Sequence, residues 1–239
     1  MNRPALSLVL PAFNEDANVA RAVRAAAAAG ESLVGDHEVV VVDDGSRDRT
    51  AAVLEDLARE LGPRLVVVRH PRNRGYGAAL RSGFAASRGE LVFYTDSDNQ
   101  FDLAELRGFL PLMSECDAVL GYRIHRRDPW TRRVASSFFN GLSSLAFGMS
   151  VRDLNCSFKL FRGDLLRSLP LESDDFFIDT EMVARMHRGG WRYVQRGVRH
   201  FPRTAGRSTV RLSDVPRTLA AIARFRVRLR ARPASRVTA

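Results

Sequence analysis

Apolar residues in this chain gather into short unbroken runs and seldom alternate with polar ones. The clearest are ALSLVLP (5–11), HEVVVVDDG (37–45), RLVVVRH (64–70), ELVFYTD (90–96) and DAVLGYR (117–123). A strand that is apolar at every position is buried on both faces, as in a parallel sheet covered by helices. Helix-like stretches separate the runs: an Ala-rich segment from Asp16 to Ala29 that ends at Gly30, SRDRTAAVLEDLAREL with Ser46 or Asp48 as its cap, GYGAALRSGFAASRG, and LAELRGFLPLM. Strand, helix and strand at this spacing imply right-handed crossovers and an α/β sandwich. The second half is less regular. It predicts a helix over 134–149, a strand CSFKLFR (156–162), a helix around Asp179–His187, a strand RYVQRGVRHF (192–201) and a last helix from about Val215 to Arg230.

Composition narrows the class. At 239 residues, 45% hydrophobic and 27% charged, the chain suits one globular domain, with or without a short appendage. The N-terminal apolar stretch is short and lacks a small-residue cleavage site, so no signal peptide is expected. Residues 134–151 are uncharged but carry too many Ser, Asn and Gly for a spanning helix. Cys116 and Cys156 are too few for a disulfide framework or a zinc cluster and fit buried thiols in a reducing cytoplasm. Charge is uneven: residues 190–239 hold thirteen Arg against the single acid Asp214, a net of +12, which leaves −2 of the total +10 for residues 1–189. A near-neutral body with a basic tail implies an anionic surface as partner, phospholipid or nucleic acid.

The candidate chemistry lies where the strands end, because ligands of open α/β sheets bind beyond the carboxyl ends of the strands. The first run delivers Asn14 and Glu15, the second Asp43 and Asp44, and the fourth Asp96 and Asp98. Carboxylates converging from three strands call for a cation or a donor-rich ligand. In an extended segment Asp96 and Asp98 project to one side, and Gln100 continues the spacing. Carboxylate and amide oxygens are hard ligands that suit Mg²⁺ or Mn²⁺ with positions left for phosphate oxygens. GYGAAL (75–80) lacks the third Gly of a dinucleotide fingerprint and follows the third strand, so it reads as a tight helix entry with Asn73 and Gly75 shaping the pocket wall. The five histidines show no ligand spacing. Phe138, Phe139, Leu142, Leu145 and Phe147 form a stripe that faces a membrane, an acceptor or the core.

LVLPAFNE, VVVDDGSRDRT, RNRGYGAALRSGF and TDSDNQFD resemble the successive motifs of family 2 glycosyltransferases with the GT-A fold. LGYR, RRVASSFFN, NCSFKLFR, FFIDTEM and PRTAGRST resemble the branch that uses polyprenyl phosphate, of the dolichyl-phosphate mannosyltransferase or glucosyltransferase type. The likeness runs from about Leu6 to Arg211. It departs at NCSFK and in having no pair of C-terminal membrane helices.

The resemblance implies a Rossmann-like, mostly parallel sheet in a catalytic domain over 1–211, with a basic helix and tail over 212–239. It places Pro11, Ala12, Asn14 and Glu15 along the nucleotide pocket and Asp43 at the base or ribose, with Asp44 beside it. Asp96 is expected on the nucleotide sugar, Asp98 and Gln100 on the metal, and Arg123, Arg133 and Arg203 around the diphosphate and acceptor phosphate. Guanidinium suits that task, since it binds phosphate in bidentate fashion and keeps its charge. Asp179 stands where a catalytic base would be sought, or caps the helix that begins near Thr180.

The implied activity is metal-dependent, inverting transfer of a mannose or glucose from a GDP- or UDP-sugar to polyprenyl phosphate, by an enzyme peripheral on the cytoplasmic face of the cell membrane. The alternative is a family 2 transferase with a saccharide or other hydroxyl acceptor. A nucleic-acid-binding role for the Arg-rich tail leaves the converging acids unexplained, so no nucleic-acid partner is expected. In Val215–Arg230 the apolar set Leu219, Ile222, Ala223 and Phe225 opposes a crowd of Arg, as in a helix lying in a headgroup layer or packed by its apolar side on the protein's own sheet.

Overall fold

A computed structural model describes residues 3–124, 130–203 and 222–229, with the side chains of 130–135 outside the described set. Its frame is a seven-stranded sheet of β1 (Leu6–Ala12), β2 (His37–Asp43), β3 (Leu65–Arg69), β4 (Leu91–Thr95), β5 (Ala118–Ile124), β6 (Phe158–Arg162) and β7 (Tyr193–Arg199). The spatial order is β3-β2-β1-β4-β6-β5-β7. β6 runs antiparallel to both neighbours and every other pairing is parallel, so the sheet is mixed and mostly parallel. All five apolar runs are strands, as are the two stretches expected at 156–162 and 192–201. β1 and β2 are buried along their whole length, as expected of strands covered on both faces.

Helices cover both faces: α1 (Val19–Leu33), α2 (Thr50–Leu61), α3 (Tyr76–Ala86), α4 (Trp130–Phe147), α5 (Gly163–Ser168), α6 (Ile178–Arg188), and α7 over residues 222–229. Alternation along β1 sends Leu6, Leu8 and Leu10 into one apolar cluster with α1 and α2. Val9 goes to the other, with α3, α4, α6 and α7. Each fully buried Leu, Val or Phe contributes about 1.5–3 kcal/mol relative to exposure, so β1 anchors both layers.

Three expectations shift. α1 does not stop at Gly30 but passes through it to Leu33. Gly is needed there because a Cβ would stand 2.4 Å from Cδ2 of the His37 ring. LAELRGFLPLM is not one α-helix but two 3-10 turns, Leu103–Gly108 and Leu110–Ser114, the second carrying Pro111 in its first turn. The short helix α5 was not expected.

α7 bears on the stripe of α4 and on the tail. Ile222 and Phe225 are buried, with Phe225 edge-on to Phe147 of α4 and to Phe177, and the Arg185 guanidinium over its ring. The apolar side of this helix therefore packs on the protein itself. Residues 204–221 and 230–239, with Leu219 among them, lie outside the described residues. The α4 stripe splits: Phe139, Leu142 and Phe147 pack against the core, while Phe138 and Leu145 stand 63% and 81% exposed. Among the described residues, no helix is long and apolar enough to cross a membrane.

Candidate active site

The carboxyl ends of β1, β2 and β4 lie side by side, with Ala12 in register with Asp43. The loops that follow them are tied together by side chains bonding to backbone. Asn14, in the left-handed region at φ 54°, accepts from Arg47 N (2.8 Å) through Oδ1, and its own N–H donates to Ser46 Oγ (3.0 Å). Asp43 Oδ1 accepts from Ser46 N (3.0 Å). Glu15 N donates to Thr50 Oγ1, and Asp48 accepts from Thr50 N and Asp16 N at the start of α2. Ser97 Oγ donates to Pro11 O (2.9 Å), which draws the β4 loop onto the end of β1. Pro11, Ala12, Asn14, Glu15 and Asp43 thus share one edge.

Asp44 is engaged within the protein. It is buried, and its two oxygens accept from Arg74 N and Gly75 N (2.9 Å each), with His70 Nδ1 at 2.6 Å. Both carboxylate oxygens are engaged by the 72–75 turn and His70, so Asp44 shapes that turn. Gly75, at φ 102°, and Gly77 stand there because a Cβ on either would meet the backbone oxygens of Asp174 or Ser173 at 2.3–2.4 Å. That close approach of the 173–175 segment explains the GYG spacing.

Residues 96–100 form a turn, not the extended segment expected, with Asn99 at φ 60°. Asp96 and Asp98 consequently meet different surroundings. Asp96 accepts from Tyr76 Oη (2.9 Å) and Ser157 Oγ (2.7 Å). Removal from water raises its pKa, against the lowering effect of those two bonds. Asp98 accepts from Gln100 N (3.2 Å). Burial, and then the negative charge of Asp96, push it up to about 7, while the nearby Arg203 pulls it down. Gln100 Nε2 donates to Phe201 O, and Gln100 O accepts from Phe201 N (2.9 Å each). Those bonds bring in Arg203, whose guanidinium pairs with Glu15 across the mouth of the site. Asp98, Gln100, Glu15 and Arg203 are therefore assembled from positions up to 188 apart.

A hard divalent cation fits this donor set. A carboxylate held up to about 7 by burial, and further by a second carboxylate, is the environment that Mg²⁺ or Mn²⁺ relieves. Asp98 and the Gln100 amide oxygen are the residues that would hold it. Among the described residues, no three His, Cys, Asp or Glu side chains converge closely enough to hold a metal alone, so an ion here would complete its coordination with substrate oxygens.

The remaining residues lie along β5, β6 and α6. Arg123 is gripped by Asp153 through Nε and Nη2 (2.7 and 2.8 Å), a bidentate pair the sequence reading did not include. The side chain of Arg133 lies outside the described residues. Asp179 caps no helix: α6 begins at Ile178 with no side-chain cap. It instead accepts from Tyr94 Oη and from Lys159 Nζ (2.6 Å), all three groups buried. Lys159, like Asp153, Ser157 and Tyr76, went unnamed in the sequence reading. Its signal was there: it is the only lysine among 37 Lys and Arg.

A model of glycosyl transferase family 2 matches residues 7–178. The chain is 33% identical over 165 residues to the undecaprenyl-phosphate 4-deoxy-4-formamido-L-arabinose transferase of Edwardsiella ictaluri, covering 69% of this chain and 51% of that protein. It is 34% identical over 170 residues to the protein of the same name from Pseudomonas fluorescens, covering 69% and 48%. The chain spans about half the length of the curated relatives it matches. In structure it resembles the glucosyl-3-phosphoglycerate synthase of Mycobacterium tuberculosis, solved with Mn²⁺, UDP and glucosyl-3-phosphoglycerate, with a TM-score of 0.71 at 20% identity over 93% of this chain and 80% of that one. The fold is thus the GT-A fold, and the chain belongs to glycosyl transferase family 2.

Proposed function

We propose that this protein moves one sugar, a hexose, from a UDP- or GDP-sugar to a polyprenyl phosphate with inversion at the anomeric carbon, and that residues 1–211 carry the reaction. The relatives' names, which specify undecaprenyl phosphate, support the acceptor. The observation that carries the reading is the state of Asp179. A hydroxyl acceptor needs a carboxylate to take its proton, but this carboxylate is ion-paired to a fully buried lysine. A phosphate monoester is already an anion and needs no such base. One of its oxygens forms the new bond to the anomeric carbon as the bond from that carbon to the diphosphate breaks, and the electron pair leaves on the diphosphate.

This chain's own residues bind and orient. Pro11, Asn14 and Asp43 line the edge where the nucleoside would lie, and Asp96, fixed by Tyr76 and Ser157, faces the sugar. Arg203 and Arg123 meet phosphate oxygens from two sides. Asp98 and Gln100 would hold Mg²⁺ or Mn²⁺, which when bound supplies positive charge to the departing diphosphate.

The acceptor's tail stays in a bilayer, so the reading includes a peripheral position on the anionic inner face of the cell membrane. The exposed Phe138 and Leu145 of α4 and the outward Arg224, Arg226 and Arg228 of α7 support it. We expect sedimentation with anionic vesicles at low salt and release at high salt, and weaker sedimentation for the R224E/R226E variant.

The test of the activity is incubation with a panel of nucleotide sugars, polyprenyl phosphate and Mg²⁺ or Mn²⁺, followed by product mass. The expected product is polyprenyl phosphate plus one hexose. The relatives' names favour a second reading for the sugar alone, 4-deoxy-4-formamido-L-arabinose, and the same masses separate the two.

A further inference from the structure

Thirty-six basic side chains of this chain are Arg and one is Lys, and that one is fully buried in the middle of the sheet. Burying an ammonium costs several kcal/mol unless every N–H finds an acceptor. Here three N–H bonds face four oxygens: Cys156 O and Asp179 Oδ1 at 2.6 Å, Tyr94 Oη at 2.8 Å and Leu154 O at 2.9 Å. Donors on a compact tetrahedral nitrogen can reach oxygens in several directions, whereas the flat guanidinium used elsewhere in this chain presents its donors in one plane.

The two backbone acceptors say what the lysine holds. Leu154 O and Cys156 O belong to the turn between Asp153 and Ser157, just before β6. The two ends of that turn serve opposite sides of the candidate site. Asp153 grips Arg123, and Ser157 donates to Asp96.

We infer that Lys159 is a positioning residue: by tethering the 153–157 turn it fixes the distance between Asp96, on the sugar-donor side, and Arg123, on the acceptor side. Asp179 and Tyr94 supply the countercharge and the remaining acceptor, and the lysine itself touches no substrate. The inference rests on the proposed reading for the roles of Asp96 and Arg123, but the tether is testable without it. Cys156 lies in the turn, buried, its thiol pushed up to about 12 chiefly by burial. Cys116, also buried and free, lies in the loop before β5 and serves as the internal control.

The experiment compares wild type, K159Q, K159R and D179N well below their melting temperatures. It reads the labelling rate of each cysteine by peptide mass, and kcat and KM for both substrates. K159Q is expected to raise Cys156 labelling about 100-fold with Cys116 unchanged, because loss of the tether opens the turn alone. It is also expected to lower kcat about 100-fold, the scale of a misplacement near 1 Å, and to raise the acceptor KM more than the donor KM. K159R is expected to behave as K159Q. D179N keeps both backbone tethers, so Cys156 stays protected and kcat falls less than about tenfold.

Wild-type protection of Cys156 in K159Q, wild-type kinetics in K159R, or an equal rise at both cysteines would overturn the inference, the last because it means general loosening. A D179N loss as large as that of K159Q would overturn it too, since charge would then matter and position would not. If the wild type transfers no sugar to polyprenyl phosphate, the functional reading fails while selective exposure of Cys156 still upholds the tether.

Discussion

The two sides of the sheet edge are held in place by different means. On the donor side, loops after β1 and β2 are fixed by short polar side chains that bond to nearby backbone: Asn14 to Arg47, Asp43 to Ser46, Asp44 to Arg74 and Gly75. Each bond is neutral–charged or neutral–neutral, worth about 0.5–3 kcal/mol, and forms as the strands align. On the acceptor side, the same task falls to buried or half-buried ion pairs between distant elements: Lys159 with Asp179, and Arg123 with Asp153. A buried pair adds little net stability but is costly to break on one side. The donor-side bonds should therefore be lost one at a time, whereas removing one partner of an acceptor-side pair should cost stability even where the geometry of the site survives.

The largest effect should come from Asp98, the donor-side acid whose pKa is raised to about 7 by burial and by the neighbouring Asp96. D98N should fold, since Asp98 follows the end of β4 and accepts from a single backbone N–H, but turnover should fall about 1000-fold with loss of the charge at the departing diphosphate. Chelation of the wild type should match it, as read by nucleoside diphosphate release. Full turnover in chelator would remove the metal from the account.

Next in size is a stability effect of the same residue. Folded Asp98 keeps its proton up to about 7, whereas the unfolded carboxyl loses it in the ordinary range near 4. Between those values the folded chain binds more protons, so this group's contribution to stability declines as pH rises through that window. In metal-free buffer D98N should be more stable than wild type by about 1–3 kcal/mol at pH 8 and equal to it at pH 4. Denaturant titrations at the two pH values check the sign.

D44A removes the acceptor of two backbone N–H groups and of His70, and should cost about 2–3 kcal/mol. Loss should be confined to the 72–75 turn, visible as faster amide exchange there, with nucleotide binding weakened indirectly. Wild-type exchange at Arg74 and Gly75 would contradict the structural role assigned to Asp44. The smallest effect on rate is expected from D179N. It should lose about 3 kcal/mol of stability, because it strips the charge partner of a buried lysine, yet keep kcat within about tenfold and leave the acidic limb of the pH profile in place. A collapse of kcat would make Asp179 a base and point to a hydroxyl acceptor.

The same contrast explains what could be read without coordinates. The first five strands were legible because they run as nearly unbroken apolar residues, whereas β6 (FKLFR) and the half-exposed β7 (YVQRGVR) carry charged residues among them. The donor-side acids were legible because they sit directly after those strands. Asp44 was visible as an acid, but which of two adjacent carboxylates turns inward depends on the approach of Arg74 and Gly75, thirty residues later. The turn at 96–100 was misread as extended because Asn99 takes a left-handed conformation that its sequence permits but does not announce. Asp153, Ser157, Lys159 and Tyr76 act through side-chain partners 20–65 residues away, and no local pattern marks them. Only the solitary lysine carried a compositional sign. For α7, periodicity identified an apolar side without saying whether lipid or protein meets it, and Phe225 against Phe147 and Phe177 answers for residues 222–229.

The central claim is that a phosphate, not a hydroxyl, receives the sugar. The direct measurement offers both at once: polyprenyl phosphate in anionic vesicles and a soluble saccharide, with a labelled nucleotide sugar and Mg²⁺ or Mn²⁺, and follows the label into each. The account predicts label in the lipid fraction alone, as one sugar on the monophosphate, unchanged in D179N apart from a modest slowing. Label in the saccharide with none in the lipid would contradict it.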